Sequence, residues 1–113
     1  MISAAPFPTR KLGRASVHVS ELGLGTAPLG DLFEIVEEDE ARAAIAAAWD
    51  GGVRYFDTSP WYGLGQAEHR VGRALYRQPR DSFAISSKVG RLIRRPLKPG
   101  PFQRGEWFGG LEF

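Results

Sequence analysis

Apolar positions along the chain fall into two alternating rhythms. In "EEDEARAAIAAAWDGG", Ala41, Ala44, Ile45, Ala48 and Trp49 recur at helical spacing and define one apolar face. The acids Glu37 to Glu40 crowd its start, where the helix dipole favours negative charge. Gly51 and Gly52 supply a left-handed stop. "VRYFD" follows at once, short and rich in β-branched and aromatic residues, and reads as a buried strand ending at Asp57. "SPWYGLG" is a loop by its proline and glycines. The helical period returns from Gln66, with Ala67, Val71, Ala74 and Leu75 on one face and Pro79 as the stop. "SFAISSK" is a further strand, ending at Lys88.

Upstream, "RKLGRASVHVS" carries two short polar-apolar stretches around Gly13 and Arg14, which predicts a small hairpin. Leu22 and Leu24 form a short buried strand that Gly25 breaks. The order is hairpin, then strand, helix, strand, helix, strand. Short connections and helices of about ten to fifteen residues mark parallel βα units. The expected plan is a hairpin over 10–20, a βαβαβ unit over 21–88 and an irregular basic tail over 89–113. That tail holds three prolines and five glycines and keeps no period. A loop of that length is unusual unless it is functional or disordered.

Composition changes this picture little. The 113 residues suit one domain, and 42% apolar with 25% charged is ordinary for a globular chain. There is no apolar run long enough for a membrane span, no signal-peptide pattern and no cysteine. A cytoplasmic protein without a membrane partner, a disulfide or a metal site is the expectation. The net charge of +2 is unevenly spread. Residues 1–88 carry 10 Lys/Arg against 11 Asp/Glu. Arg91, Arg94, Arg95, Lys98 and Arg104 face only Glu106 and Glu112 in the tail. Such a tail suits either a phosphate contact or a solvated loop. No aromatic ladder or RNA-binding signature accompanies it, so no nucleic-acid partner is expected.

Three polar residues fall at or just beyond successive strand ends: Asp57, Tyr62 and Lys88. In α/β folds that edge is where sites are built. Adjacent parallel strands lie about 4.8 Å apart, so a carboxylate and an ammonium there can touch. A phenol titrates near 10, and a neighbouring ammonium stabilises its phenolate. A carboxylate beside the lysine keeps it charged and in place. Tyr62 could then exchange a proton with a carbonyl or alcohol oxygen. Gly25 and Thr26, after the first strand, leave room for a flat ring to approach. Each residue also has a plainer reading. Asp57 could cap the turn at Thr58, Ser59 and Pro60, Tyr62 could pack on Trp61, and Lys88 could be solvated. His18 and His69 lack metal-ligand spacing, and His69 reads as a surface residue.

"LGLGTAPLGD", "GGVRYFDTSPWYGLGQAEHRVGRAL" and "FAISSKVGR" together resemble the opening third of the aldo-keto reductase superfamily, across about residues 10–95. "SSKVGRLIRRP" followed by "WFGGLEF" is most similar to its aldose and fucose dehydrogenase group, which also resembles pyridoxal dehydrogenases. The resemblance implies a TIM barrel plugged by an N-terminal hairpin. It also implies NAD- or NADP-dependent hydride transfer to or from a small carbonyl or sugar substrate. A catalytic tetrad of Asp, Tyr, Lys and His is implied, with Asp57, Tyr62 and Lys88 matching the first three. The histidine belongs to the family's fourth strand and has no match here. Gly25 and Thr26 match the loop on the nicotinamide side, with Asp57 beside it. A full barrel needs about 250 residues. The chain is therefore expected to be an incomplete (β/α)8 barrel of hairpin plus about three βα units. It is either part of an oxidoreductase or a catalytically inactive fragment, with open edges that another chain could cover.

Overall fold

The computed structural model describes residues 3–94 together with Lys98 and Gly100. A hairpin of β1 (Thr9–Lys11) and β2 (His18–Ser20) comes first, paired antiparallel with Arg10 opposite Val19. Its link is closed by the Leu12 N–H on the Val17 carbonyl at 3.0 Å. A three-stranded parallel sheet follows, ordered β3 (Leu24–Gly25), β4 (Tyr55–Asp57) and β5 (Ala84–Ser86). Helix α1 (Glu38–Asp50) connects β3 to β4, and α2 (Gln66–Leu75) connects β4 to β5. The result is a partial α/β unit. The three strands do not close into a barrel.

Strand alternation sorts the sheet residues into two faces. Leu24, Phe56 and Ile85 lie in one register row, and Gly25, Asp57 and Ser86 in the next. Phe56 points to the helices, fully buried in a core with Ile45, Ala41, Val71, Leu75, Val53 and Leu29. Trp49 stacks on Phe56 with centroids 6.5 Å apart and meets Phe83 edge-on at 6.0 Å. Tyr55, Asp57 and Ser86 therefore belong to the opposite face, the one a closed barrel would turn inward. The hairpin sits at the other end of the strands from Asp57. There Ser20 accepts the Arg54 N–H at 3.0 Å, one residue ahead of β4.

Several boundaries depart from the pattern-based expectation. Leu22 lies outside the first strand and is exposed, because the sheet ladder reaches only Leu24 and Gly25. Ala44 is exposed, since the face of α1 centres on Ala41 and Ile45. At the end of α1, Gly51 keeps a right-handed conformation (φ −75°), and Gly52 takes the positive φ of 104°. Helix α2 ends at Leu75, four residues before Pro79, which instead starts a short 3-10 helix over Arg80–Ser82. Strand β5 stops at Ser86, so Lys88 stands two residues past it. In the tail, Arg91, Arg94 and Lys98 are exposed, while Arg95, Arg104 and the "WFGGLEF" segment lie outside the described residues.

Candidate active site at the strand ends

The carboxylate of Asp57 is held on both oxygens. Oδ2 accepts from Lys88 Nζ at 3.0 Å, and Oδ1 accepts from Ser86 Oγ at 2.6 Å. The register makes this possible, because β4 and β5 pair Asp57 directly with Ser86. Lys88 then reaches back across the strand end. Its ammonium also donates to the Thr58 carbonyl at 3.0 Å and lies 4.9 Å from the centroid of the Tyr62 ring. Asp57, Tyr62 and Lys88 thus meet at one point, 31 residues apart in chain for the ion pair.

Electrostatics follow from these contacts. Partial burial of Asp57 works to raise its carboxyl. The Ser86 hydrogen bond and the Lys88 ammonium outweigh it and hold the group below its ordinary 3.8. Lys88 is held above its ordinary 10.5, first by the hydrogen bond to Asp57, with desolvation opposing and Tyr62 adding to the rise. The contact with Tyr62 is defined by the ammonium over the ring. The charged form of Lys88 is therefore secured beside the phenol.

Tyr62 is placed by its backbone. Its N–H donates to Ser59 O at 3.1 Å, and its carbonyl accepts from Ala67 N at 3.1 Å, the first turn of α2. Gly30, at the end of a short 3-10 helix (Ala27–Gly30), lies flat on the Tyr62 peptide. A Cβ at Gly30 would collide with the Tyr62 carbonyl carbon and stand 2.5 Å from its oxygen. Only glycine permits that approach. A cavity of about 340 Å³ opens beside the pair, lined by Ser59, Trp61, Tyr62, Lys88, Val89 and Arg91. The Arg91 guanidinium lies 4.0 Å over the Trp61 ring at its mouth.

Gly25 and Thr26 stand next to Asp57 at the end of β3. Thr26 is fully buried, and both its N–H and its hydroxyl donate to the Asp57 carbonyl, at 3.0 and 2.9 Å. Gly25 is exposed, and a Cβ there would meet nothing within 4 Å, so the space above it is open. Thr26 ties β3 to β4, while Gly25 leaves the approach clear.

Two features escaped the sequence pattern. Ser86 had no motif, yet it holds one oxygen of Asp57. Arg70, which follows Glu68 and His69, is buried inside the fold. It donates to Glu38 Oε2 (2.9 Å), Leu29 O (2.8 Å) and Val36 O (2.8 Å), with Asp31 Oδ1 at 3.7 Å. The Gln66 amide, turned with nitrogen toward Asp31 (3.1 Å) and oxygen toward Arg70 (2.9 Å), completes the cluster. The signal was present in the periodicity, since position 70 is three past Ala67 and one before Val71 on the buried face. His69 itself is exposed.

Comparison with known proteins agrees with this architecture. The sequence model of the Aldo/keto reductase family matches residues 21–108. D-threo-aldose 1-dehydrogenase of a Pseudomonas species is 48% identical over 90 residues, covering 80% of this chain and 26% of that protein. Pyridoxal 4-dehydrogenase of Microbacterium luteolum is 45% identical over 112 residues, covering 92% of this chain and 32% of that one. The holo form of an aldo-keto reductase from Bacillus halodurans superposes with a TM-score of 0.69 at 31% identity, over 95% of this chain and 30% of that chain. The chain thus spans roughly a quarter to a third of the length of the curated relatives it matches.

Proposed function

The chain belongs to the aldo/keto reductase family, and we propose that it carries the proton-transfer half of an NAD- or NADP-dependent oxidoreductase site acting on a small carbonyl or sugar hydroxyl. The observation that carries this reading is the Asp57–Lys88 pair at 3.0 Å with its ammonium 4.9 Å from the Tyr62 ring. A nicotinamide, when bound, supplies or takes up a hydride at the substrate carbon. Tyr62 donates its phenolic proton to the carbonyl oxygen on reduction and recovers it from the alcohol on oxidation. The Lys88 ammonium offsets the negative charge left on the phenol, and Asp57 keeps that ammonium oriented. The open space at Gly25 suits the flat face of a nicotinamide, with Thr26 and Asp57 beside it. Aldose 1-dehydrogenase chemistry is the favoured substrate class, on the likeness to the Pseudomonas enzyme.

A second reading is favoured by the sheet itself: the 113 residues alone do not turn over substrate. Among the described residues, nothing pairs with the outer edge of β3 or β5, and a further polypeptide pairing there would complete the site. Both readings meet one test. Residues 1–94 are joined to the remaining length of the Pseudomonas enzyme, and aldose-dependent NAD(P)H formation is followed. Tyr62→Phe in that chimaera should lower turnover about 10²- to 10⁴-fold with nicotinamide binding retained. Near-normal turnover in the variant sinks the first reading. Turnover by the 113-residue chain alone sinks the second.

A further inference from the structure

Asp57 is oriented by more than Lys88. Its Oδ1 receives the Ser86 hydroxyl at 2.6 Å, and the Ser86 Oγ lies 2.8 Å from the Tyr55 hydroxyl. An ionised carboxylate has no proton to give, so the single Ser86 proton must lie toward Asp57. The Ser86 oxygen is then the acceptor, and the Tyr55 O–H is the donor. The chain therefore runs one way, from Tyr55 to Ser86 to Asp57, and Lys88 closes it from the opposite side. Bonds in such a row polarise one another in the same sense. The 2.6 Å step lies within the range of charge-assisted hydroxyl–carboxylate bonds, about 2.5–2.7 Å.

The geometry that permits this row comes from β4, β5 and the residue just ahead of β3. Tyr55 and Asp57 share a face by strand alternation, and register sets Ser86 against Asp57. On the other flank, Gly23 gives the Tyr55 ring its place, since a Cβ there would stand 2.5 Å from Tyr55 Cδ1. Among the described residues, the side chains that bond the Asp57 carboxylate are Ser86 and Lys88. Lys88 comes from beyond β5 and also lies over the Tyr62 ring, whereas Gly25 and Thr26 on the β3 side carry no charge.

We propose that Ser86 and Tyr55 are positioning residues for the site. Through a one-directional hydrogen-bond row they hold Asp57 with Oδ1 inward and Oδ2 turned to Lys88. The carboxylate cannot rotate away from the ammonium without breaking the Ser86 bond. This deepens the proton-transfer reading and rests on Asp57 belonging to that site. Its test follows the carboxylate and not turnover, so either can fail alone.

The 113-residue chain, labelled with ¹³C in aspartate carboxyls, is titrated by NMR, with Asp57→Asn assigning the resonance. Ser86→Ala is expected to shift the Asp57 midpoint upward, and Ser86→Thr, which keeps the hydroxyl, to return it toward the original. Tyr55→Phe is expected to shift it upward by less. If Ser86→Ala does not fold, Ser86→Cys supplies a weaker donor of similar shape and should move the midpoint the same way. An unchanged midpoint in the folded Ser86 variant, or a Thr variant that behaves like Ala, overturns the proposal. An unchanged midpoint in Tyr55→Phe removes Tyr55 from it.

Discussion

Two of the Asp–cation pairs among the described residues join distant parts of the chain and differ in environment. Arg70 and Asp31 lie inside, with side chains 3% and 2% exposed. Lys88 and Asp57 stand at the strand ends, 48% and 37% exposed. Arg70 turns its guanidinium on Leu29 O, Val36 O and Glu38, so its donors are directed at the segment between β3 and α1 and at the first residue of α1. Lys88 directs two bonds at Asp57 and Thr58 and leaves its face toward Tyr62 and the cavity. The first pair ties one loop to a helix. The second keeps a charged group available at an open edge. A buried cation with every neighbour a fixed acceptor is suited to holding structure, and a half-exposed one beside a phenol is suited to chemistry.

The sharpest way to break this contrast is to remove each cation. Arg70→Leu should destabilise the chain by about 3–5 kcal/mol, because it removes a buried cation that bonds Glu38, Leu29 O and Val36 O and leaves buried Asp31 with one counter-charge fewer. Urea unfolding measures this, and a loss under about 1 kcal/mol would erase the distinction. Lys88→Met should lower stability by less than about 1 kcal/mol, as expected of a solvent-screened pair. The same substitution in the aldose dehydrogenase chimaera should nonetheless remove most turnover. A folded Lys88→Met chimaera with full activity would place Lys88 among the merely solvated residues.

The smallest effect is in pH dependence. Asp57 and Glu38 both titrate below their ordinary values in the fold, Glu38 chiefly through its hydrogen bond from Arg70. Each contributes stability that is complete above its ordinary 3.8 or 4.5 and lost as pH falls through the lower folded value. Lys88 titrates higher in the fold, so its contribution is complete below 10.5 and lost as pH rises through the folded value. Melting temperature against pH should therefore fall at both ends. Lys88→Met should flatten the alkaline limb and reduce the acid one. Identical curves for the two proteins would show that the ion pair carries no linkage.

Much of this was readable residue by residue. The period of Ala41 and Ile45, the β-branched run to Phe56 and the turn residues around Pro60 order the elements, because each reflects local propensity and one-sided burial. They also put Asp57 at a strand end and Lys88 near the next. An apolar pattern passes over Arg70, a charged residue that sits on the buried face of α2 between Ala67 and Val71. The pattern failed at Pro79 because the helix ends where its apolar face does, at Leu75, before proline can act.

Local pattern thus ordered the strands and helices and showed which side chains carry acid, phenol and amine. How they meet was set by contacts between distant segments. Pairing of β4 with β5 set Ser86 against Asp57, and the close approach of Gly30 set the Tyr62 backbone. Burial decided that Arg70 holds the loop and Lys88 does not. Local pattern and distant contacts differ in range. Periodicity and capping act over one turn or one strand, whereas register, hydrogen-bond partners and solvent screening are set by residues some thirty positions apart, as in the Lys88–Asp57 pair with its separation of 31.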